Sequence, residues 1–276
     1  MFCVLVALDV KNAFNSLRWR HILEAGSARG IPLYLIRILV GYFRDRRVCY
    51  HTEEGPRHIV AEMGVPQGSV WGPTLWNLAY DGVLRCDLAP GCRIVGHADD
   101  IALVATAGTT GALEERVNHS IRRWAPSKTE IFPRNKKRIG DFKVRVAGVE
   151  VGLSTQIRYL GVTFDRSHLF REHVERVASR AVRVMAALAR IMPNVGGPGQ
   201  AKSMFYYRVL ESILLYASPI WAAATEVEVN RTKLKRAQRV GLSRVVKAYR
   251  TVFLDALNVL AGVPPIVLTI KERAAL

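Results

Sequence analysis

The stretch Ile94-Val95-Gly96-His97-Ala98-Asp99-Asp100-Ile101-Ala102-Leu103-Val104 sets two adjacent carboxylates between two apolar runs. Runs of this kind on either side of a short polar centre predict an antiparallel hairpin with the aspartates on its tight turn. Asp-Asp is a common turn dipeptide, so alone the pair also reads as an ordinary solvated turn. Its neighbours are too apolar to solvate it, and like charges side by side are costly unless something cationic holds them. Hard carboxylate oxygens suit a divalent metal. Working outward, a second apolar run, Val4-Leu5-Val6-Ala7-Leu8-Asp9, also ends on a bare carboxylate and leads into Val10-Lys11-Asn12-Ala13-Phe14. Between the acidic segments lies Gly64-Val65-Pro66-Gln67-Gly68-Ser69-Val70-Trp71-Gly72-Pro73, a loop tightened by glycine and proline. Its Ser69 is a candidate helix cap, and Pro73 a first-turn proline.

The remaining periodicity predicts helices over Leu17 to Ala28 and Leu33 to Arg44, broken by Gly30 and Pro32. A hairpin of Val48 to Thr52 and Arg57 to Met63 follows, then a helix from Pro73 to about Leu88. After the acidic hairpin the pattern gives a helix from Gly111 to Trp124 and short strands near Thr129 to Phe132, Lys143 to Val149 and Ile157 to Phe164. From His168 onward the spacing is almost wholly helical. A small antiparallel sheet backed by helices and followed by an all-helical piece is α+β, with a boundary near Asp165.

Charge divides the chain in the same way. Residues 1–125 carry 14 Lys and Arg against 12 Asp and Glu; residues 126–276 carry 26 against 11, so nearly all of the net +17 lies in the second half. That asymmetry is the electrostatic footprint of a nucleic-acid grip, with a solvated basic surface as the alternative. Arg171, Arg176, Arg180, Arg183 and Arg190 form a cationic stripe that would follow phosphates without reading bases. Arg134-Asn135-Lys136-Lys137-Arg138 and Arg231-Thr232-Lys233-Leu234-Lys235-Arg236 add to it. The four cysteines lack zinc-site spacing and suit a reducing compartment. Phe2 to Leu8 reads as a strand and not a signal peptide, and the uncharged stretch Ser212 to Thr225 is short of the ~20 residues of a membrane span. No membrane role is expected.

The ordered series Asp9-Val10-Lys11-Asn12-Ala13-Phe14, Pro66-Gln67-Gly68-Ser69, Ala98-Asp99-Asp100, Pro126-Ser127-Lys128-Thr129-Glu130 and Tyr159-Leu160-Gly161-Val162 resembles the palm of a reverse transcriptase. Its wording is closest to non-LTR (LINE-type) retrotransposons, as an insect-type Pol polyprotein fragment. Leu214-Leu215-Tyr216-Ala217-Ser218-Pro219-Ile220-Trp221 continues the likeness into the helical part. The resemblance implies a right-hand polymerase palm with partial fingers over residues 1–164 and a helical thumb or connection region over 165–276. Because the chain opens on the strand bearing Asp9, the fingers are expected to be largely absent.

The resemblance also implies an RNA-directed DNA polymerase that extends a DNA primer on an RNA template with dNTPs and two Mg2+ ions, or Mn2+ in their place. Two other readings stay open on the same residues: a catalytically inactive nucleic-acid-binding remnant and a maturase-like RNA-binding protein. By resemblance Asp9, Asp99 and Asp100 hold metal, with the backbone at Val10 beside them, and Lys128 neutralises the leaving pyrophosphate. Lys11, Asn12, Ala13, Phe14 and Gln67 would bind the nucleotide, though Lys11 reads equally as a solvated lysine. Phe14 would stand beneath the incoming sugar and exclude a 2′-hydroxyl; without the resemblance it reads as a core aromatic. Pro66, Gly68, Ser69, Tyr159, Leu160, Gly161, Arg176, Arg180 and Arg183 would contact primer and template. His97 stands where the family has Tyr or Phe, and Trp71 where it has a smaller aliphatic residue. Other polyprotein domains are expected as partners, and a nuclear site of integration with a cytoplasmic ribonucleoprotein stage.

Overall fold

A computed structural model of the chain describes residues 1–9, 12–66, 68–122, 128–133, 142–146, 149–191, 199–249 and 251–276; of Asp9, Ala13, Lys128, Val146 and Ile191 it describes the backbone alone. Two compact units divide the chain, Met1–Ser154 and Thr155–Leu276. The hairpin before Asp165 thus belongs by packing to the second, mostly helical unit.

The first unit runs β1 (Phe2–Asp9), α1 (Ala13–Ser16), α2 (Trp19–Ala28), α3 (Leu33–Phe43), β2 (Arg47–Thr52), β3 (Gly55–Val60), α4 (Gly72–Leu84), β4 (Cys92–His97), β5 (Asp100–Ala107), α5 (Thr110–Ile121), β6 (Lys128–Pro133), β7 (Val144–Val146) and β8 (Val149–Val151). Strands β4, β5, β1 and β6 form one antiparallel sheet in that order. Because side chains alternate across a pleat, pairing Val4, Val6 and Leu8 with Ala105, Leu103 and Ile101 gathers the apolar set on one face. All six are at most 4 % exposed. Helix α5 covers that face with Leu113, Val117 and Ile121, spaced four apart and buried. Its start is capped by Thr109, whose hydroxyl accepts the Ala112 N–H at 3.3 Å. Helix α4 joins the same face through Tyr80 and Val83. Gly96 admits it, since a Cβ there would collide with the Tyr80 hydroxyl.

Several boundaries differ from the sequence expectation. Helix α4 ends at Leu84 and not near Leu88, with Arg85 as its C-cap, its N–H donating to the Asp81 and Val83 carbonyls. The strand expected over Lys143 to Val149 is instead the short pair β7 and β8, Val146 opposite Val149. The hairpin of β2 and β3 closes on a tighter loop than expected, with Thr52 opposite Gly55. The cluster Arg134 to Arg138 and the end of the helix expected to Trp124 lie outside the described residues.

The second unit opens on the hairpin β9 (Gln156–Tyr159) and β10 (Val162–Asp165), followed by α6 (Arg171–Leu188), α7 (Gln200–Leu214), α8 (Ser218–Trp221), α9 (Glu228–Val245), α10 (Leu254–Ala261) and α11 (Ile266–Ala275). Asp165 anchors the entry to α6: its carboxylate accepts the Leu169 N–H at 3.0 Å and the Arg171 N–H at 3.1 Å. The core is Val174, Met185, Tyr207, Leu210, Leu214, Trp221, Leu234, Leu257 and Ile270. Gln238 is buried within it with its amide satisfied, donating to the Tyr207 hydroxyl and the Pro264 carbonyl and accepting the Ile266 N–H. Of the cluster Arg231 to Arg236, Arg231 and Lys233 are tied to Glu228 and Glu175, while Lys235 and Arg236 face solvent. Among the described residues no single helix is long and apolar enough to cross a membrane.

His173 is fully buried against Trp221, and its Nδ1 accepts the Thr163 N–H at 3.3 Å, leaving the ring neutral. Burial, reinforced by the charge of Arg176, pushes its pKa down to about 4. A depressed folded-state pKa gives stability that is complete above the unfolded-state value and is lost as pH falls toward the folded one. Between neutral pH and pH 5 this one group should cost the second unit about 2 kcal/mol, at ~1.4 kcal/mol per unit. Urea unfolding at both pH values, beside His173→Gln, checks it: the variant's stability should change less between them by about that amount.

Candidate active site

The register of the four-stranded sheet brings the acidic segments together. Asp9 lies opposite Asp100 on one side and opposite Lys128 on the other, and His97 lies opposite Asp100. A single row of positions, His97, Asp100, Asp9 and Lys128, therefore crosses the end of the sheet on the face away from α5. Directly opposed positions in an antiparallel pair sit about 4.5–5.5 Å apart at Cβ, close enough for two carboxylates to share one cation. Lys128, drawn from a motif distant in sequence, reaches the row because β6 pairs with β1. Further along this face Cys3, Ala102 and Phe132 are buried, whereas Leu5, Ala7 and Val104 are half-buried.

Ala98 and Asp99 are the two residues of the β4–β5 turn. Ala98 has φ +54°, the sign that the first central position of a type II′ hairpin turn demands and that glycine normally supplies. Asp99 is exposed and makes no hydrogen bond or ion pair among the described residues. Asp100 is half-buried. The left-handed Ala98 holds strain that glycine would release, less glycine's own entropy cost. Ala98→Gly should thus raise stability by about 0.5–1 kcal/mol, read as an upward shift of the urea midpoint at constant slope.

The donor set fits a divalent cation. Asp99 offers hard oxygens with no competing partner among the described residues. Among the described residues no three or more His, Cys, Asp or Glu side chains converge on a point, a set that does not include the Asp9 side chain.

Beside the row, α1 is stitched to the segment ahead of α4. Asn12, at φ +52°, opens α1 with its carbonyl accepting the N–H groups of Asn15 and Ser16. Phe14 and Leu17 carbonyls accept the N–H groups of Val65 and Gly64 at 2.7 and 2.8 Å, and the Trp19 indole donates to the Gly64 carbonyl at 2.8 Å. Gly64 is required there, with φ +92° and a would-be Cβ 2.9 Å from the Asn15 carbonyl oxygen. The half-buried Phe14 ring lies 4.8 Å from Trp76, which stacks on Tyr80 at 5.4 Å. Neither Trp76 nor Tyr80 was assigned a role by the sequence; their four-residue spacing on α4 was the available signal. Ser69 is not the N-cap of α4, a place taken by Trp71 without a side-chain bond; its hydroxyl accepts the Gly72 N–H at 2.9 Å in the turn leading into the helix, and its own N–H donates to the Pro66 carbonyl. Gly68 is exposed with φ +83°. Val10, Lys11 and Gln67 lie outside the described residues, as do the side chains of Asp9, Ala13 and Lys128.

The remaining predicted residues gather in the second unit. Tyr159 and Val162 pair across the two-residue turn Leu160-Gly161. A cavity of about 520 Å³ beside that turn is lined by Arg158, Arg176, Arg180, Arg183 and Tyr216. Burial and then the charge of Arg158 hold the Arg176 pKa below its usual value. Arg158, Arg180 and Arg183 make no ion pair among the described residues, so the cavity carries uncompensated positive charge. Arg158 was not singled out from sequence, since a lone arginine on a short strand carries no periodic signal.

With this geometry in place, comparison with known proteins is direct. Residues 2–164 match the family described as reverse transcriptase (RNA-dependent DNA polymerase). A putative 115 kDa protein in the type-1 retrotransposable element R1DM of Drosophila melanogaster is 27 % identical over 279 residues, covering 97 % of this chain and 27 % of that protein. The Pol polyprotein of an R1 element of Bradysia coprophila is 25 % identical over 98 % of this chain and 28 % of its own length. A probable RNA-directed DNA polymerase from transposon BS of Drosophila melanogaster is 26 % identical over 86 % of this chain and 29 % of its own. The chain thus spans little more than a quarter of the length of these relatives. With over half of its residues matched, from the strand that carries Asp9 to the far strand of the β9–β10 hairpin, the chain belongs to the reverse transcriptase (RNA-dependent DNA polymerase) family.

Proposed function

We propose that this chain is the palm-and-thumb portion of an RNA-directed DNA polymerase from a non-LTR retrotransposon. The observation that carries the reading is the cross-strand register of Asp9 with Asp100 beside the exposed Asp99 turn. Reverse transcriptases as a family use divalent metal ions, and the finer reading is two Mg2+ held by Asp9 and Asp99 with Asp100 in support. Metal bound there lowers the pKa of a primer 3′-hydroxyl and offsets charge on the reacting triphosphate.

The chain's own residues supply position. The primer 3′-oxygen bonds to the α-phosphorus of a dNTP, the α–β anhydride bond breaks, and the hydroxyl proton passes to solvent as pyrophosphate leaves. Lys128 meets the departing negative charge, a role supported by the register of its backbone opposite Asp9. Phe14, backed by Trp76, sets the floor under the sugar. The nascent base pair is read at Gln67 and the triphosphate is bound by residues 10–13 in this proposal, as the family resemblance implies. The second unit's arginines follow primer and template phosphates. Cellular action is at the nuclear integration site, after a cytoplasmic ribonucleoprotein stage, with the other domains of a longer polyprotein as partners.

Primer extension tests this. The purified chain, given Mg2+, dNTPs and a DNA primer on an RNA template, should add nucleotides complementary to the template. Salt-sensitive binding of the duplex with no incorporation would favour the non-catalytic nucleic-acid-binding reading instead.

A further inference from the structure

The turn Leu160-Gly161 is built against the grain of its own sequence. Both central residues have positive φ, +45° and +78°, the signature of a type I′ turn that Asn-Gly satisfies without strain. A leucine held there is strained by about 1 kcal/mol. It is not a core residue, being 37 % exposed. Strained, exposed apolar residues at a tip are retained for contact and not for folding. What keeps this turn in place is a pair of hydrogen bonds from the helical part of the unit. The Tyr216 hydroxyl donates to the Leu160 carbonyl at 3.0 Å, and Arg176 Nη2 donates to the next carbonyl, that of Gly161, at 2.8 Å. The fit is close: a Cβ on Gly161 would lie 3.0 Å from the Tyr216 ring.

Tyr216 is in turn fixed from behind. Its carbonyl accepts the indole N–H of the fully buried Trp221 at 2.9 Å, and the next residue, Ala217, is held left-handed at φ +51°. A tyrosine that is 53 % exposed adds little to a core. Its hydroxyl nonetheless spans from the end of α7 to a backbone carbonyl 56 residues away in sequence, at the mouth of the arginine-lined cavity.

We propose that Tyr216 is a positioning residue for primer extension: through the Leu160 carbonyl, together with Arg176 on the Gly161 carbonyl, it fixes the hairpin turn against which the primer end rests. This rests on the polymerase reading above. Arg176 then acts through the turn, while Arg158, Arg180 and Arg183 remain available to phosphate.

Tyr216→Phe removes the hydroxyl and keeps the ring beside Gly161. Two readouts follow: the Kd of a fluorescein-labelled DNA primer on an RNA template, without dNTPs, and the KM and kcat of extension. Losing one hydrogen bond to the turn should weaken binding three- to tenfold and raise KM for primer–template by the same factor, with a smaller change in kcat. Unchanged Kd and KM, whatever the shift in Tm, would reduce Tyr216 to a structural residue and overturn the proposal; so would a parent chain that binds no primer–template. The binding arm holds even if the chain incorporates nothing, so failure of the polymerase reading is told apart from failure of this one.

Discussion

Replacing Asp99 with asparagine is expected to lower nucleotide incorporation at least about a thousandfold, a barrier increase of roughly 4 kcal/mol, while leaving duplex binding and stability unchanged. The separation of effects follows from the site. Asp99 sits exposed on the turn without a partner among the described residues, so its neutralisation removes no fold contact, and such surface changes stay within about 0.5 kcal/mol. Asparagine keeps the shape but loses the charge that a hard cation requires. Asp9→Asn should have a comparable effect, and the double variant should be little worse than either alone, because groups that act as one unit lose their function together. Single-nucleotide incorporation by the three variants, with anisotropy as the binding control, checks all of this. Incorporation by Asp99→Asn within tenfold of the parent would remove the turn from the site.

Phe14→Val should shift selectivity and not overall competence. The incoming sugar is expected to lie over Phe14, whose ring cannot retreat because Trp76 lies 4.8 Å behind it and Tyr80 is stacked behind Trp76. A ribose 2′-hydroxyl would thus meet a backed surface. Valine opens room for it, and the ratio of kcat/KM for dNTP over rNTP should fall about a hundredfold, close to 2.7 kcal/mol of discrimination. Part of the aromatic packing is lost as well, at a cost of about 1–2 kcal/mol to the first unit. Because the readout is a ratio measured on one protein, that loss does not enter it. An unchanged ratio would return Phe14 to the plain packing role that its place in the aromatic stack also suits.

Reading the sequence reached furthest where function is written in short, local motifs. The apolar run ending at Asp9, the Asp99-Asp100 hairpin, the Ser69 cap and the Pro73 helix start all depend on neighbours within a few residues. The strand ending at Asp9 and the Pro73 helix start lie where the pattern put them, whereas of the paired aspartates only Asp99 is in the turn, Asp100 opening β5 opposite His97, and Ser69 bonds Gly72 ahead of a helix whose N-cap is Trp71. Register was not legible, since sliding β1 by two residues against β5 leaves Val4, Val6 and Leu8 on the same face; the structure alone sets Asp9 opposite Asp100. What escaped was tertiary. Tyr216 was visible within a motif, but a hydroxyl bonded to a backbone carbonyl leaves no mark at the accepting residue. Trp76 became the backing of Phe14 only once α4 packed beside α1. The buried amide of Gln238 likewise depends on partners remote in sequence.

The proposal makes the carboxylates at the end of the sheet a divalent-metal site. It is tested most directly by titrating Mn2+ into the chain, with primer–template and dNTP present on a primer that lacks its 3′-hydroxyl, and following free Mn2+ by electron paramagnetic resonance. The account predicts bound Mn2+ that is lost in the Asp9→Asn/Asp99→Asn form while primer–template stays bound. Equal Mn2+ binding by the parent and that variant would contradict it.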